Sequence, residues 1–289
     1  NFVPKMSLGA AILYSPFFLM AHGLSGLLSY NSDGFSMIYS ILMCIGHVFY
    51  AFLGLFYLRK ILRLYFSDSV TSLTIFTIAF CTNLFHYCTG EIGMPHAYSL
   101  FLFLLFVWLT IKWHKSPSYK TSISIGLIVG LILLIRPTNG IIALVFILYN
   151  VFNKESLNRK WDLFIVNWKK ILVLILVSIT AVFPQLIFWK LASGSFVFYS
   201  YGEEGFYFGN PQIVKGLFSY RKGWLLYTPI MSFALLGFYM LYKKLKEFFL
   251  PILIFTIVNI YIVFSWWCWW YGGGFGQRAL IESYALLAV

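Results

Sequence analysis

The segment YCTGEIGMPHAYS sets a carboxylate and an imidazole, Glu91 and His96, around a Gly-Met-Pro turn in a largely apolar chain. A carboxylate in that position can bind a metal ion or take a proton from a hydroxyl acceptor. The blander account is a capping group: Pro95 opens a helix, Glu91 faces its positive end and His96 is a first-turn residue. Cations follow at three further places. IRPTNG carries Arg136 before a Pro–Asn interruption, SYRKGWLLYTP carries Arg221 and Lys222, and WWCWWYGGGFGQR ends in Arg278, four residues before Glu282. A guanidinium keeps its charge and forks onto phosphate or carboxylate, so these residues read as an anion site. Against that stand a snorkelling Arg136, an interfacial anchor at Lys222 and a simple helical ion pair between Arg278 and Glu282.

The elements that must hold these groups are membrane helices. The chain of 289 residues is 61% apolar and 21% aromatic, with 10% charged residues and a mean hydropathy of +0.83. Soluble domains carry about 25% charged residues. Approximate spans fall at 36–57, 69–86, 96–111, 122–135, 139–152, 171–190, 224–242, 248–265 and 279–289 onward, which makes an all-α, polytopic bundle and a single membrane domain over 1–289. Of the 21 Lys and Arg, 14 lie in four alternate connections, around Arg59–Arg63, Lys112–Lys120, Lys154–Lys170 and Lys243–Lys246. The positive-inside rule makes that side cytoplasmic, and the net charge of +12 is a topology signal rather than a sign of nucleic acid. Cys44, Cys81, Cys88 and Cys268 have neither metal-ligand spacing nor a disulfide pattern.

Two segments need separate treatment. Leu8 to Leu28 is apolar but interrupted by Pro16 and diluted by His22, so it either spans or lies at the outer interface; only the second leaves Asn1 outside. Residues 191–223 form a long extracytoplasmic connection rich in Tyr, Phe and Gly, too aromatic for a disordered tether, and an ordered lid or cavity wall is expected. The chain begins at Asn1 and stops within an apolar run at Val289, and reads as a piece of a longer protein.

Under this topology Glu91, Arg136, Arg221, Lys222, Arg278 and Glu282 share the outer side. The two runs flanking Arg136 are about 14 residues each, or roughly 21 Å, short of a hydrocarbon core of about 30 Å. Arg136 therefore belongs in a protein-lined cavity below the interface. Several cations with a carboxylate suit an anionic, membrane-embedded substrate such as a polyprenyl-linked phosphate. Tyr199, Tyr201, Trp267, Trp270 and Tyr271 offer stacking surfaces for a sugar, and the three consecutive Gly of 272–274 allow close backbone approach. No phosphate-binding Gly loop, nucleophile elbow or HExxH is present. A lipid-linked sugar or polysaccharide transporter would also need an outward cationic cavity, and a non-catalytic subunit binding a partner through the aromatic loop is a third class.

In LGAAILYSPFFLMAHG, TNLFHYCTGEIGMPHAYSLFLF, GLILLIRPTNG, SYRKGWLLYTP and WWYGGGFGQRALIE, taken in order, the chain resembles the C-type (GT-C) integral membrane glycosyltransferases, especially bacterial relatives of the dolichyl-phosphate-mannose–protein mannosyltransferases. The resemblance covers nearly the whole chain. It implies an enzyme of the bacterial inner membrane, with its active site facing outside, that moves a sugar from a polyprenyl-phosphate donor to a glycan, lipid or protein acceptor. The family's main acid is an Asp early in the first outer loop, which the resemblance places upstream of Asn1. Asp33, late in that loop, is not promoted. Glu91 matches the region of a second acid, with His96 beside it. Arg136, Arg221, Lys222 and Arg278 become donor-phosphate contacts, and Glu282 with the aromatics a substrate wall. A divalent cation, Mg or Mn, is a candidate cofactor.

Overall fold

Where no water is at hand, each backbone N–H and C=O must be paired within the protein, and a helix does this inside one segment. The computed structural model describes residues 3–91 and 93–289, so the placement expected for Asn1 lies outside the described residues. The helices are α1 (Leu8–Leu27), α2 (Met37–Leu62), α3 (Asp68–Phe80), α4 (Leu84–Thr89), α5 (His96–Lys115), α6 (Tyr119–Ile135), α7 (Ala143–Leu148), α8 (Lys154–Val166), α9 (Trp168–Ser193), α10 (Ile213–Phe218), α11 (Trp224–Tyr227), α12 (Met231–Lys244), α13 (Lys246–Ser265) and α14 (Tyr284–Leu287). Two 3-10 segments, Pro137–Ile142 and Arg278–Ser283, precede α7 and α14. No strand forms among the described residues, only an isolated bridge between Phe206 and Trp266. The fold is an all-α polytopic bundle. Five helices, α1, α2, α5, α9 and α13, are long and apolar enough to cross a membrane, and the protein is an integral membrane protein.

Several expected spans are divided. The 224–242 run breaks at Thr228–Pro229 into α11 and α12, because a residue before Pro is pushed out of the helical region. The 139–152 run opens as 3-10 before α7, 69–86 divides into α3 and α4, and 279–289 opens as 3-10.

Helix α5 is the centre of the bundle, with Tyr98, Leu100, Phe103, Phe106, Val107 and Trp113 buried. Helix α9 lies outside it and packs on α6 through small residues. A Cβ added at Gly130 would come within 2.4 Å of Ala181, and Ser178 donates to the Gly126 carbonyl at 3.0 Å. Such small-residue contacts let helices associate closely where lipid offers no hydrophobic drive.

The two ends of the bundle differ. One gathers the Lys-rich connections and is called the basic end here. There Lys160 of α8 is buried, and its ammonium donates to the carbonyls of Phe146 and Tyr149, both at 3.0 Å. It also meets Nε2 of His114, left as an acceptor because Nδ1 bonds the Thr110 carbonyl. The Phe164 ring lies 4.9 Å from the same nitrogen. Burial pushes the Lys160 ammonium down to about 7.

The other end carries the candidate site. Helix α1 lies across it: Leu8 N–H donates to Gln185 Oε1 at 2.8 Å, Tyr14 to the Gly93 carbonyl at 2.8 Å, and His22 bonds Tyr39 at 2.6 Å. None of these partners belongs to the basic end. The long connection is tied to the rest of the protein at several points. Lys5 pairs with Glu204 at 2.6 Å, and the N–H groups of Tyr207, Gln212 and Trp267 tie it to the end of α13.

Candidate functional site

The turn before α5 and the Gly-rich loop before α14 meet at the site end. Glu91 is part-exposed, and its Oε1 lies 3.3 Å from Nε2 of His86, which α4 presents. Tyr87 follows on α4 and donates to the Phe275 carbonyl at 3.0 Å. Gly274 sits directly against this pair. A Cβ there would lie 2.6 Å from the Tyr87 hydroxyl and 2.8 Å from Glu91 Oε1, and its φ of +83° is in the left-handed region. Both facts demand glycine. The close backbone approach expected of the triple Gly is therefore made to a carboxylate.

His96 does not join Glu91. It is buried on the first turn of α5, and Nδ1 lies 3.0 Å from Oε1 of Glu282, also buried. The other carboxylate oxygen of Glu282 has no hydrogen-bond partner among the described residues. The helical ion pair weighed for Arg278 and Glu282 does not form. Both residues lie in a 3-10 segment, where three residues complete a turn and positions four apart diverge by about 120°. Glu282 consequently turns to His96.

Arg136 ends α6, half-buried, where Pro137 stops the helix. It faces Glu282, His96 and Tyr271 electrostatically, yet its guanidinium makes no hydrogen bond or ion pair among the described residues. Arg278, also half-buried, faces Tyr87, His96, Lys222 and Tyr271. Its guanidinium bonds the Met94 sulfur at 3.7 Å and interacts with the Tyr87 hydroxyl. Lys222 donates to the carbonyls of Gly272 and Gly273. Burial first, then Arg278, lowers its ammonium from the ordinary range. These three cations, with Glu91 and Glu282, form one neighbourhood.

The remaining candidates lie around it. Arg221 is exposed and stacks on Trp270, 3.6 Å from the ring centroid, a cation–π contact. Tyr271 gives its hydroxyl to the Val263 carbonyl at 3.0 Å, so only its ring borders the cations. Trp267 is part-exposed beside Trp270. Tyr199 and Tyr201 touch each other, and their further partners are Glu204, Lys5 and Trp266 in the long connection. Sequence reasoning missed His86, Tyr87 and Met94. His86 and Tyr87 precede the turn by one helical turn, and that spacing is the signal for them.

Beside the cations lies an apolar cavity of about 390 Å³, lined by Leu8, Tyr14, Gly93, Pro95, Ile135 and Phe188 among others. A divalent metal fits the donor set poorly. Glu91–His86 and Glu282–His96 are both two-membered, and no three His, Cys, Asp or Glu gather among the described residues. The sequence matches no protein-family model, and neither a curated protein nor a solved structure matches the chain.

Proposed function

We propose that the chain is the membrane part of a glycosyltransferase that moves a sugar from a polyprenyl-phosphate donor to an acceptor at the extracytoplasmic face. The observation that carries this reading is the pair Arg136 and Arg278, half-buried guanidiniums without a carboxylate partner among the described residues, beside an apolar cavity. Such charges are costly unless an anion completes them. A lipid phosphate supplies the anion, and its tail suits the cavity.

In the proposed reaction an acceptor hydroxyl attacks the anomeric carbon, and the bond from that carbon to the phosphate oxygen breaks. Glu91 accepts the hydroxyl proton while His86 holds the carboxylate from the other side. Arg136, Arg278 and Lys222 meet the charge that grows on the departing phosphate, the way preorganised donors lower a barrier. Glu282 keeps His96 and, through charge, Arg136 in place. Arg221 on Trp270, with Trp267, offers the sugar a stacking face.

The interruption after Arg136 also suits a lipid-linked sugar transporter, since broken helices frame many transport sites. Purified protein in bilayers separates the two readings. Transfer of label from a polyprenyl-phosphate sugar, lost in Glu91→Gln while lipid binding persists, is the expected result. Binding and translocation without transfer would favour transport, and normal turnover in Glu91→Gln would remove Glu91 from the mechanism.

A further inference from the structure

Both polar groups of the Gly93 backbone are claimed by side chains. Its N–H donates to Nε2 of His47 at 3.2 Å, and its carbonyl accepts from the Tyr14 hydroxyl at 2.8 Å. Gly93 has φ +109°, so the turn is already in a conformation open to few residues. His47 is fully buried on α2. Its Nδ1 lies 2.8 Å from the Met43 carbonyl and 3.2 Å from the Tyr98 hydroxyl, and its Nε2 lies 3.3 Å from the Met94 carbonyl as well as beside the Gly93 N–H, so the ring is held on both edges. Tyr98 of α5 closes the group, with its ring centroid 4.8 Å from those of Tyr14 and His47.

This clasp stands between two things the functional reading needs. On one side Tyr14 and Gly93 are walls of the apolar cavity, together with Leu8, Pro95 and Ile135. On the other, Gly93 lies two residues from Glu91 and next to Met94, whose sulfur takes the Arg278 guanidinium. Anything that fills the cavity presses on the same tyrosine and glycine that hold the Glu91 turn.

Resting on the proposed transferase reading, we infer that Tyr14 and His47 are positioning residues. Through them the apolar tail of the donor, seated in the cavity, sets the Glu91 carboxylate and Arg278 against the donor phosphate. The tail is thus recognised twice, once for affinity and once for alignment, and a short-tailed donor binds without aligning the site.

The test is hydrogen exchange of the segment around Gly93 in the intact protein, with undecaprenyl phosphate or geranyl phosphate added and binding measured in parallel. In the wild type, undecaprenyl phosphate slows exchange more than geranyl phosphate does at equal saturation. Tyr14→Phe keeps the ring and removes one hydrogen bond, so the tail-length difference shrinks by about fivefold. In turnover the same variant lowers kcat for the long donor while its KM stays near the wild-type value. A purely structural role would lower protection equally for both lipids, and that result overturns the inference, as does wild-type protection in Tyr14→Phe. Failure of the wild type to bind either lipid overturns the transferase reading, and the inference falls with it. Binding without tail-dependent protection overturns the clasp alone.

Discussion

Lys160 and Arg136 are cations withdrawn from water at opposite ends of one bundle. Lys160 is enclosed by two carbonyls, an imidazole nitrogen and an aromatic ring, so every ammonium proton has a destination. The carbonyls belong to the end of α7, where a helix presents partial negative charge. Arg136 ends α6 with no acceptor for its guanidinium among the described residues, and the one nearby carboxylate is already bound to His96. The first cation is satisfied by the fold and fastens α8 to α5 and α7. The second is left for something the fold does not supply. Burial of a charge therefore marks a ligand site only when the hydrogen-bond partners are missing.

The contrast breaks most visibly at Arg136. Arg136→Ala removes no hydrogen bond of the fold, and is expected to lower transfer by about 100-fold, the worth of a preorganised charge on a leaving group. The apparent Tm in detergent should stay at the wild-type value. A fall in Tm with unchanged turnover would reverse the roles assigned to the two cations.

Lys160→Met should do the opposite. It orphans the Phe146 and Tyr149 carbonyls, at about 1–3 kcal/mol for each group left unpaired. The expected outcome is a lower apparent Tm with polyprenyl-phosphate affinity unchanged, read by thermal unfolding and lipid binding on one preparation. Gly274→Ala comes next. It puts a side chain against Tyr87 and Glu91 and forces a left-handed residue, costing about 1–2 kcal/mol, and it should slow transfer by moving Glu91. Gly273→Ala is the control, because a Cβ there meets nothing within 4 Å and its φ is not positive.

The last contrast is a pH slope. Burial holds Lys160 near 7 in the folded protein, whereas an unfolded chain titrates lysine at about 10.4. Between those values the unfolded chain binds the additional proton, so stability rises with pH. The Tm advantage of wild type over Lys160→Met should grow from pH 7 to pH 10 (about the interval between the two titrations) and be flat below it. A flat profile up to pH 10 would mean that the carbonyls hold the ammonium charged.

Much of this was legible beforehand, for a physical reason. In an apolar chain each charge is conspicuous, so Glu91, Arg136, Lys222 and Arg278 stood out and do gather. The helical class followed from the length of the apolar runs. Pairings across the chain were not legible. His96 with Glu282 spans 186 positions and Gly93 with His47 spans 46, and no local periodicity records either. The missing Arg278–Glu282 pair turned on 3-10 rather than α geometry. Three glycines in a row, 272–274, hinted at an irregular backbone there but not at its pitch.

Helices α3 and α12, with 13 and 14 residues, measure roughly 20 Å, whereas α2 with 26 residues is nearly twice as long. The two short helices line a common apolar groove of about 320 Å³ and expose Phe76, Phe80, Phe233 and Leu236. Where only these short helices, and not the broken extensions α4 and α11, face lipid, a hydrocarbon core of about 30 Å would thin along that flank. The elastic cost is small per ångström, but headgroups on that flank are drawn toward the midplane. On the proposed function, a lipid-borne donor arriving there would start its approach from a thinned part of the bilayer.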